Sequence, residues 1–548
     1  MISAAARRPS SGNLFLLLLA LAGLPHPLGA VDFSGPVVIY LVDTLRADRV
    51  SPYGTPLPTT PAAERLAAEG VLFENAYSLS SWTRASVSTL LTSQLPTATG
   101  AIDRNGVLDP AVPYLPEELK RLGFRTAAFV TNGNIFDPRL GFQRGFDFFQ
   151  AIAGTVHAGA AYAREAMEPA LRFVKGQTSG TFFLYVHVLD PHYLPRASRD
   201  INSYDYALEP AYTGLFADEF PRPTTGPGPH IPVDYDRAVR QADDQFGRLV
   251  AALKAKGFWN SALVIYTSDH GEEFGEHGGR GHGLTLYEEQ IHIPLLVKFP
   301  GEIGRKTRRS DLVSLADIVP TIAELAGLSR SAVWIGRSLL SKETERTLYF
   351  SEDLDEARLY AARRGPEKLI VGLYPRFSAQ TFRLEKDPGE THGVPISCDE
   401  AVTPPPGSLA RLAAELRDRE SASQPALRFE KTRPESIRFD LVVNLGDQMK
   451  PFLTTADLCR FSPAVRKSAF FLLQTLPAGE PFRLAFAADD TGQLPRFRLN
   501  VLSAETGKAL DPLDDASPLR VTKTLRPTLT GPMTDETAAN LKSLGYVR

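Results

Sequence analysis

The chain has 548 residues, 43% of them hydrophobic and 22% charged, with a formal net charge of −3. That balance belongs to soluble globular proteins and excludes a disordered or many-spanned membrane chain. Near-neutrality gives no global field for nucleic acid or anionic lipid, so any handling of anions must be local.

In chain order, the first feature is Arg7-Arg8 ahead of an apolar run from Leu14 to Ala22, with Gly29-Ala30 just beyond. A basic start, a short greasy stretch and a small-residue exit predict a secretory signal peptide cut near Ala30. The run is shorter than the ~20 residues that cross a bilayer. The expected protein is therefore exported, periplasmic or secreted, with no transmembrane segment after cleavage.

Strand-like and helix-like segments then alternate, which predicts an α/β fold: a mainly parallel sheet sandwiched by helices, with a smaller C-terminal β-rich domain. Val37–Val42 reads as a fully buried strand. Residues 61–69 read as a helix, with Thr60 as N-cap, Pro61 first and Gly70 just past the end. Further core strands are expected at Thr126–Val130, Phe182–Val188, Leu263–Thr267 and Ile293–Phe299, and a helix at Leu312–Leu325. Pro221–Pro232 reads as a surface loop near the mouth of the site, and Thr403–Gly407 as a linker before a helical Ser408–Arg419. From Ala426 to Leu525, short apolar runs such as Phe439–Val443, Phe470–Leu473, Phe482–Phe486 and Phe497–Val501 predict a small antiparallel β-sandwich. The domain reading is 1–30 signal peptide, 31–420 main domain, 421–525 β-rich accessory domain and 526–548 a tail packing on the core. Cys398 and Cys459 are either bridged or two buried thiols.

Ligands of open α/β sheets bind beyond the carboxyl ends of the strands. Those ends carry Asp43, Asn132-Gly133-Asn134, Asp190-Pro191-His192 (with His187 in the strand's last turn) and Ser268-Asp269-His270-Gly271. Oxygen and nitrogen donors delivered from separate elements suit a divalent cation. Each residue alone is more simply a cap or a loop bond; their joint placement carries the reading. A helix is expected to start near Thr83, where backbone N–H groups favour an anion. From the local pattern alone, Thr83 reads more simply as a helix cap than as a nucleophile.

The stretch Val37-Val38-Ile39-Tyr40-Leu41-Val42-Asp43-Thr44-Leu45-Arg46-Ala47-Asp48 resembles the opening of the sulfatase family, of the alkaline-phosphatase-like superfamily. Thr60-Pro61, Leu66-Ala67-Ala68-Glu69-Gly70-Val71 and Asn75-Ala76-Tyr77-Ser78 continue the likeness. So do Ser268-Asp269-His270-Gly271-Glu272, Gly275-Glu276-His277-Gly278, Gly281-His282-Gly283, Asp317-Ile318-Val319-Pro320-Thr321 and Leu384-Glu385-Lys386-Asp387-Pro388-Gly389-Glu390. The resemblance spans residues 35 to 395, and Leu544-Gly545-Tyr546-Val547 is similar to a common family tail. It implies Asp43, Asp269 and His270 as metal ligands and Thr83 as a nucleophile that also touches the metal. Arg84, His192 and His282 fall where the family has oxyanion binders or the leaving-group acid. Asn132 and Asn134 stand where many members have lysine and histidine, and are expected to bind substrate.

The departures bear on chemistry. Family members that use formylglycine carry Cys/Ser-x-Pro-x-Arg, whereas this chain has Thr83-Arg84-Ala85-Ser86-Val87, and threonine cannot become that aldehyde. The usual adjacent aspartates reduce to Val42-Asp43. Position 194 is leucine, so the Asp-x-x-x-His spacing of two-zinc relatives is missing at Asp190 and one divalent metal is expected, whether manganese, zinc, magnesium or calcium. The sequence thus favours phosphate or phosphonate esters cleaved through Thr83. Sulfate esters are the alternative, and a further one is an inactive fold that binds a partner through its β-rich domain. The expected partner is a small-molecule, glycan or lipid ester.

Overall fold

The computed structural model describes residues 33–396, apart from 105, 154–161, 194–205, 217–230, 344, 355–357 and 375–377, together with strand backbones between 426 and 523. The expected signal peptide, most of the 221–232 loop, the 403–407 linker, the 408–419 helix, both cysteines and the tail lie outside the described residues.

The elements follow in order as β1 Val37–Val42, α1 Pro61–Glu69, β2 Val71–Tyr77, α2 Thr83–Thr92, α3 Pro96–Thr99, α4 Leu115–Arg121, β3 Arg125–Val130 and β4 Phe148–Ala151. Next come α5 Ala163–Lys175, β5 Phe182–Val188, α6 Val233–Ala255, β6 Leu263–Thr267, α7 Glu288–Ile291, β7 Leu295–Lys298, β8 Thr307–Ser314 and α8 Ile318–Leu325. The eight strands form one sheet in the order β4-β3-β5-β1-β6-β7-β2-β8. All neighbours are parallel except β7, which runs against both β6 and β2.

Both faces of this sheet are covered, which is why its central strands read as unbroken apolar runs rather than alternating ones. Val37, Ile39 and Leu41 pack with Val87, Leu90, Leu119 and Ile322, so α2, α4 and α8 lie on one face. Val38, Tyr40 and Val42 pack with Leu66, Met167 and Phe246, so α1, α5 and α6 lie on the other. Thr60 does sit at the N-cap of α1 but makes no side-chain cap bond. Its hydroxyl accepts from the Ser51 amide, and the α1 amides of Ala62 and Ala63 are instead taken by the Asp243 carboxylate at 2.6 and 2.9 Å.

The expected helix at 312–325 is shorter. Leu312 to Ser314 end β8, paired with Asn75 to Tyr77. The Ser314 amide then donates to Asp317 Oδ2 at 2.7 Å, a short 3-10 turn spans Leu315–Asp317, and the α-helix begins only at Ile318. Likewise the expected 293–299 strand contracts to β7, since Pro294 has no amide for the ladder.

A second, antiparallel sheet follows: β9 Thr347–Glu352, β10 Arg358–Arg364, β11 Glu367–Tyr374, β12 Ser378–Arg383 and β13 Val394–Pro395, in the order β13-β12-β11-β10-β9. Beyond it, the four apolar runs of the β-rich region fall in strands, apart from Phe482, which lies outside the described residues. They belong to a four-stranded sheet (Pro451–Leu453, Arg483–Ala487, Ala426–Lys431, Leu519–Lys523) and a five-stranded one (Ala464–Arg466, Ala469–Leu476, Ile437–Asn444, Arg496–Ser503, Ala509–Leu510), both antiparallel. Among the described residues no helix is long and apolar enough to cross a membrane.

Candidate active site

Side chains alternate along a strand, so residues two apart share a face. Leu41 is followed on its face by Asp43, Tyr185 by His187, Ile265 and Thr267 by Asp269, and Val130 by Asn132. These four polar groups therefore continue the inward rows of β1, β5, β6 and β3, four adjacent parallel strands. The ladder persists past the strand ends: the Asp43 amide donates to Val188 O at 2.9 Å, and Thr131 to His187 O at 3.0 Å. All four side chains are buried, on the face where α2 packs.

The α2 N-terminus supplies the hydroxyl. Its N-cap is Trp82, with no side-chain cap bond, and Thr83 is the first helical residue. Thr83 therefore does not cap the helix. Its Oγ1 lies 3.2 Å from His270 Nε2 and 3.4 Å from Asn132 Nδ2. The other imidazole nitrogen, Nδ1, faces Gly271 O at 2.9 Å. A carbonyl only accepts, so Nδ1 carries the proton and Nε2 is left to accept from Thr83. Burial pulls the His270 pKa down to about 4, which keeps it neutral.

Asp43, His187 and Asp269 present one donor atom each, all within 4.8 Å of one another. Asp43 Oδ2 accepts from Asn132 Nδ2 at 2.5 Å and lies 2.8 Å from His187 Nε2. Asp269 Oδ1 accepts from the amides of Thr44 and His270 at 3.3 and 3.0 Å. The remaining oxygens, Asp43 Oδ1 and Asp269 Oδ2, are buried without a hydrogen-bond partner. Two orphaned carboxylate oxygens at one point cost heavily unless a cation takes them, so the donor set fits a divalent metal. Burial opposes the Asp43 charge, but His187 holds its pKa below the ordinary carboxylate range. Asp269, buried beside the Asp43 charge, is pushed up to about 7. His187 was missing from the expected ligand set; its signal is a lone imidazole in the row Phe183-Tyr185-His187. His270 borders the cluster, its Nε2 3.4 Å from Asp269 Oδ2.

The other expected residues divide. The ring of His282 lies 4.4 Å from that of His270 and 4.9 Å from that of His192, so three imidazoles stand together, and His270 is the one that touches Thr83. His192 Nδ1 faces Tyr193 O at 2.7 Å, and burial lowers its pKa. His282 Nδ1 faces the Glu272 carboxylate at 3.2 Å. Burial pushes Glu272 up to about 8 and His282 down to about 4. Asn134 is buried with both side-chain atoms unpartnered, while its carbonyl accepts from Arg84 Nε. Arg84 is occupied elsewhere: Nη1 donates to the carbonyls of Asp103, Arg104 and Gly106 at 3.1, 2.7 and 3.1 Å, and the guanidinium covers the Trp82 ring. Its visible work is to hold the backbone at Asp103, Arg104 and Gly106. Asp190 is held by Gln241 Nε2 at 2.5 Å and does not join the cluster.

A mainly parallel sheet gathers two carboxylates, several imidazoles and a buried hydroxyl at its carboxyl edge, the groups of a metal-assisted hydrolase. The chain belongs to the sulfatase family: the Sulfatase family model matches residues 36–328, more than half of its length. The model for the C-terminal part of N-sulphoglucosamine sulphohydrolase matches residues 275–397. Enzymes of this family depend on metal.

Among curated proteins, the N-acetylglucosamine-6-O-sulfatase of Bacteroides thetaiotaomicron is 21% identical over 62% of this chain and 76% of its own. Human iduronate 2-sulfatase is 26% identical over 53% and 69%. Bovine arylsulfatase K is 37% identical over 20% of each, so the chain spans about a fifth of that relative. A solved structure in complex with its substrate D-glucosamine-2-N,6-O-disulfate superposes with a TM-score of 0.57 at 18% identity, covering 71% of this chain and 98% of that one. The phosphonate monoester hydrolase of Agrobacterium radiobacter gives 0.53 at 19%, covering 71% and 95%. These likenesses establish the fold.

Proposed function

We propose that the chain is an exported hydrolase that transfers the acid part of an ester to Thr83 and then to water. The observation that carries this reading is the Thr83 hydroxyl, 3.2 Å from an unprotonated His270 nitrogen and beside the Asp43–His187–Asp269 cluster. His270 Nε2 takes the hydroxyl proton as Oγ1 bonds to sulfur or phosphorus and the ester oxygen departs. The Asn134 amide, with no partner of its own, donates to a non-bridging oxygen. Glu272 and His282 share the proton for the leaving oxygen. The carboxyl is the stronger holder, so His282 passes its Nε2 proton outward and takes the one from Glu272 at Nδ1. When bound, a divalent metal supplies charge against the developing anion and lowers the pKa of hydroxyls touching it. Asp43, His187 and Asp269 would hold it, with Thr83 and His270 at its border.

Sulfate esters are the substrate class that the named relatives favour, since most act on sulfated compounds. This outweighs the preference for phosphorus that the sequence suggested. One observation still favours phosphate or phosphonate esters: threonine must release its covalent intermediate by attack of water on the transferred atom, without an aldehyde hydrate to help. The N-terminal leader pattern supports export, and the glycan-directed relatives support a sugar ester.

The test assays metal-loaded protein on aryl sulfate, aryl phosphate mono- and diesters and aryl phosphonate, with Thr83→Ala and Thr83→Ser beside it. The expected result is turnover of at least one ester, abolished in Thr83→Ala and partly kept in Thr83→Ser. Full activity in Thr83→Ala would remove the nucleophile.

A further inference from the structure

Glu352 closes β9 in the second sheet, contributes nothing to the metal cluster and is only 2% exposed. Its Oε2 accepts from Ser80 Oγ at 2.7 Å and the Ser81 amide at 2.9 Å, while Oε1 accepts from the Asp353 amide at 3.1 Å. One residue earlier, the Ser351 amide donates to Leu79 O at 3.0 Å. Residues 79 to 81 are thus pinned one after another along the end of β9. These are the residues that lead into α2: Ser80 Oγ accepts from the Trp82 amide at 3.2 Å and Ser80 O from Ser86 Oγ at 3.0 Å. Thr83 starts immediately after.

The same strand end backs the loop that carries His282. Ser81 Oγ donates to Thr285 O at 2.7 Å. Gly283 has φ +83°, and a Cβ there would stand 2.5 Å from Leu354 Cδ2, two residues past Glu352. Glu352 to Leu354 therefore lie under both segments that bring the hydroxyl and the leaving-group imidazole together, although those segments are some 200 residues apart in the chain (Ser81 to Thr285). A buried carboxylate bonded to two consecutive residues of a loop is a rigid fixture, because losing it strands several donors at once.

We infer that Glu352 is a positioning residue: through Ser80 and Ser81 it sets where the Thr83 hydroxyl sits against His270 and His282. The inference rests on Thr83 being the nucleophile. Holding a nucleophile in line affects the rate of attack more than the binding of the ester. A displacement of about 1 Å is worth about a hundredfold in rate.

The experiment compares Glu352→Ala, Glu352→Gln, Ser80→Ala and the Glu352→Ala/Ser80→Ala double variant, in the full chain, on whichever ester the wild type turns over. Bound metal and melting temperature are measured alongside. The expected result is a kcat lowered about ten- to a hundredfold in Glu352→Ala, with KM and metal content little changed and Glu352→Gln in between. The losses of Glu352→Ala and Ser80→Ala should not add in full, since both break the Ser80–Glu352 bond. Wild-type kcat in Glu352→Ala, or additive losses, would overturn the inference. If Glu352→Ala does not fold, Ser80→Ala and Glu352→Gln decide on the same kcat reading, and full activity in both overturns it. Thr83→Ala in the same assay separates the two proposals: if it stays active, the nucleophile reading fails. If it is dead while Glu352→Ala is fully active, only the positioning role fails.

Discussion

His187 sits inside β5 rather than after it, with Nε2 2.8 Å from Asp43 Oδ2 and Nδ1 3.1 Å from the Tyr185 hydroxyl. The Tyr185 hydroxyl on Nδ1 fixes the ring's orientation and leaves Nε2 turned towards the carboxylates, which is what a metal-binding imidazole needs. His187→Ala should weaken metal affinity by at least the about ten- to hundredfold seen when a residue that only supports a ligand is lost, read as metal retained after dialysis. Retention at the wild-type level would remove His187 from the ligand set. The same residue shows what a single sequence reveals. Asp43 and Asp269 were legible because each follows a closed apolar run, at the place where α/β sheets bind ligands. His187 is visible at the end of its strand, but none of the motifs that carry the resemblance includes it. Its row mates Phe183 and Tyr185 read as core, so the expected ligand set omits it. Thr83 was legible as a helix start, but its two readings separated only when Trp82 proved to be the N-cap. The role of Arg84 went unread because its partners are backbone carbonyls, which leave no trace in side-chain pattern.

Between elements, the second sheet is joined to the first through buried charge. Lys368 on β11 is fully buried, its Nζ 2.9 Å from Glu288 Oε1 and 2.8 Å from Glu390 Oε1, while Arg363 on β10 reaches Glu288 Oε2 at 3.1 Å. Burial alone would lower the Lys368 pKa, but these carboxylates raise it. Lys368→Met keeps the stem and leaves both carboxylates facing each other, a loss of about 3–5 kcal/mol. The expected readout is a lower urea midpoint with an unchanged slope; an unchanged midpoint would show the network to be neutral.

Beside it, His277 stacks on Tyr287 at 3.6 Å, with Nδ1 2.8 Å from Glu289 Oε1 and Nε2 3.2 Å from Glu390 O. Glu273 also approaches, its Oε1 accepting the His277 and Gly279 amides and its Oε2 Gln290. Burial opposes the imidazolium, yet Glu289 and Glu390 raise its pKa above the ordinary value. A raised folded pKa stabilises fully below the unfolded value, ~6.5, and less as pH climbs through the folded one. The stability difference between wild type and His277→Gln should therefore be largest near pH 6 and shrink towards pH 9, followed by thermal melts. A constant difference would mean that His277 works by packing alone. Little of this joint was legible: the antiparallel strands from 347 to 395 carry mixed patterns, and their charged residues look like surface until Lys368 is seen buried.

At the scale of the whole molecule, the site is a seam through which four strands, one helix and the edge of a second sheet meet. Folding forces the Asp43 and Asp269 carboxylates together in the buried interior, and one oxygen of each remains without a partner. That arrangement destabilises the protein until a cation joins it, so stability has been given up for a binding site. A ligand bound only by the folded state stabilises by about 4 kcal/mol at a thousandfold excess over its Kd. Adding the divalent metal to chelated wild type should raise its melting temperature by several degrees. Asp269→Asn distinguishes this from general stiffening. Its Oδ1 can still accept from Thr44 and His270, where Asp269 does at 3.3 and 3.0 Å, while the orphaned charge is gone. The variant should melt above chelated wild type, respond little to metal and turn over no ester. If it melts below chelated wild type, the Asp269 charge stabilises the fold by itself, and the cost attributed to the paired carboxylates is absent.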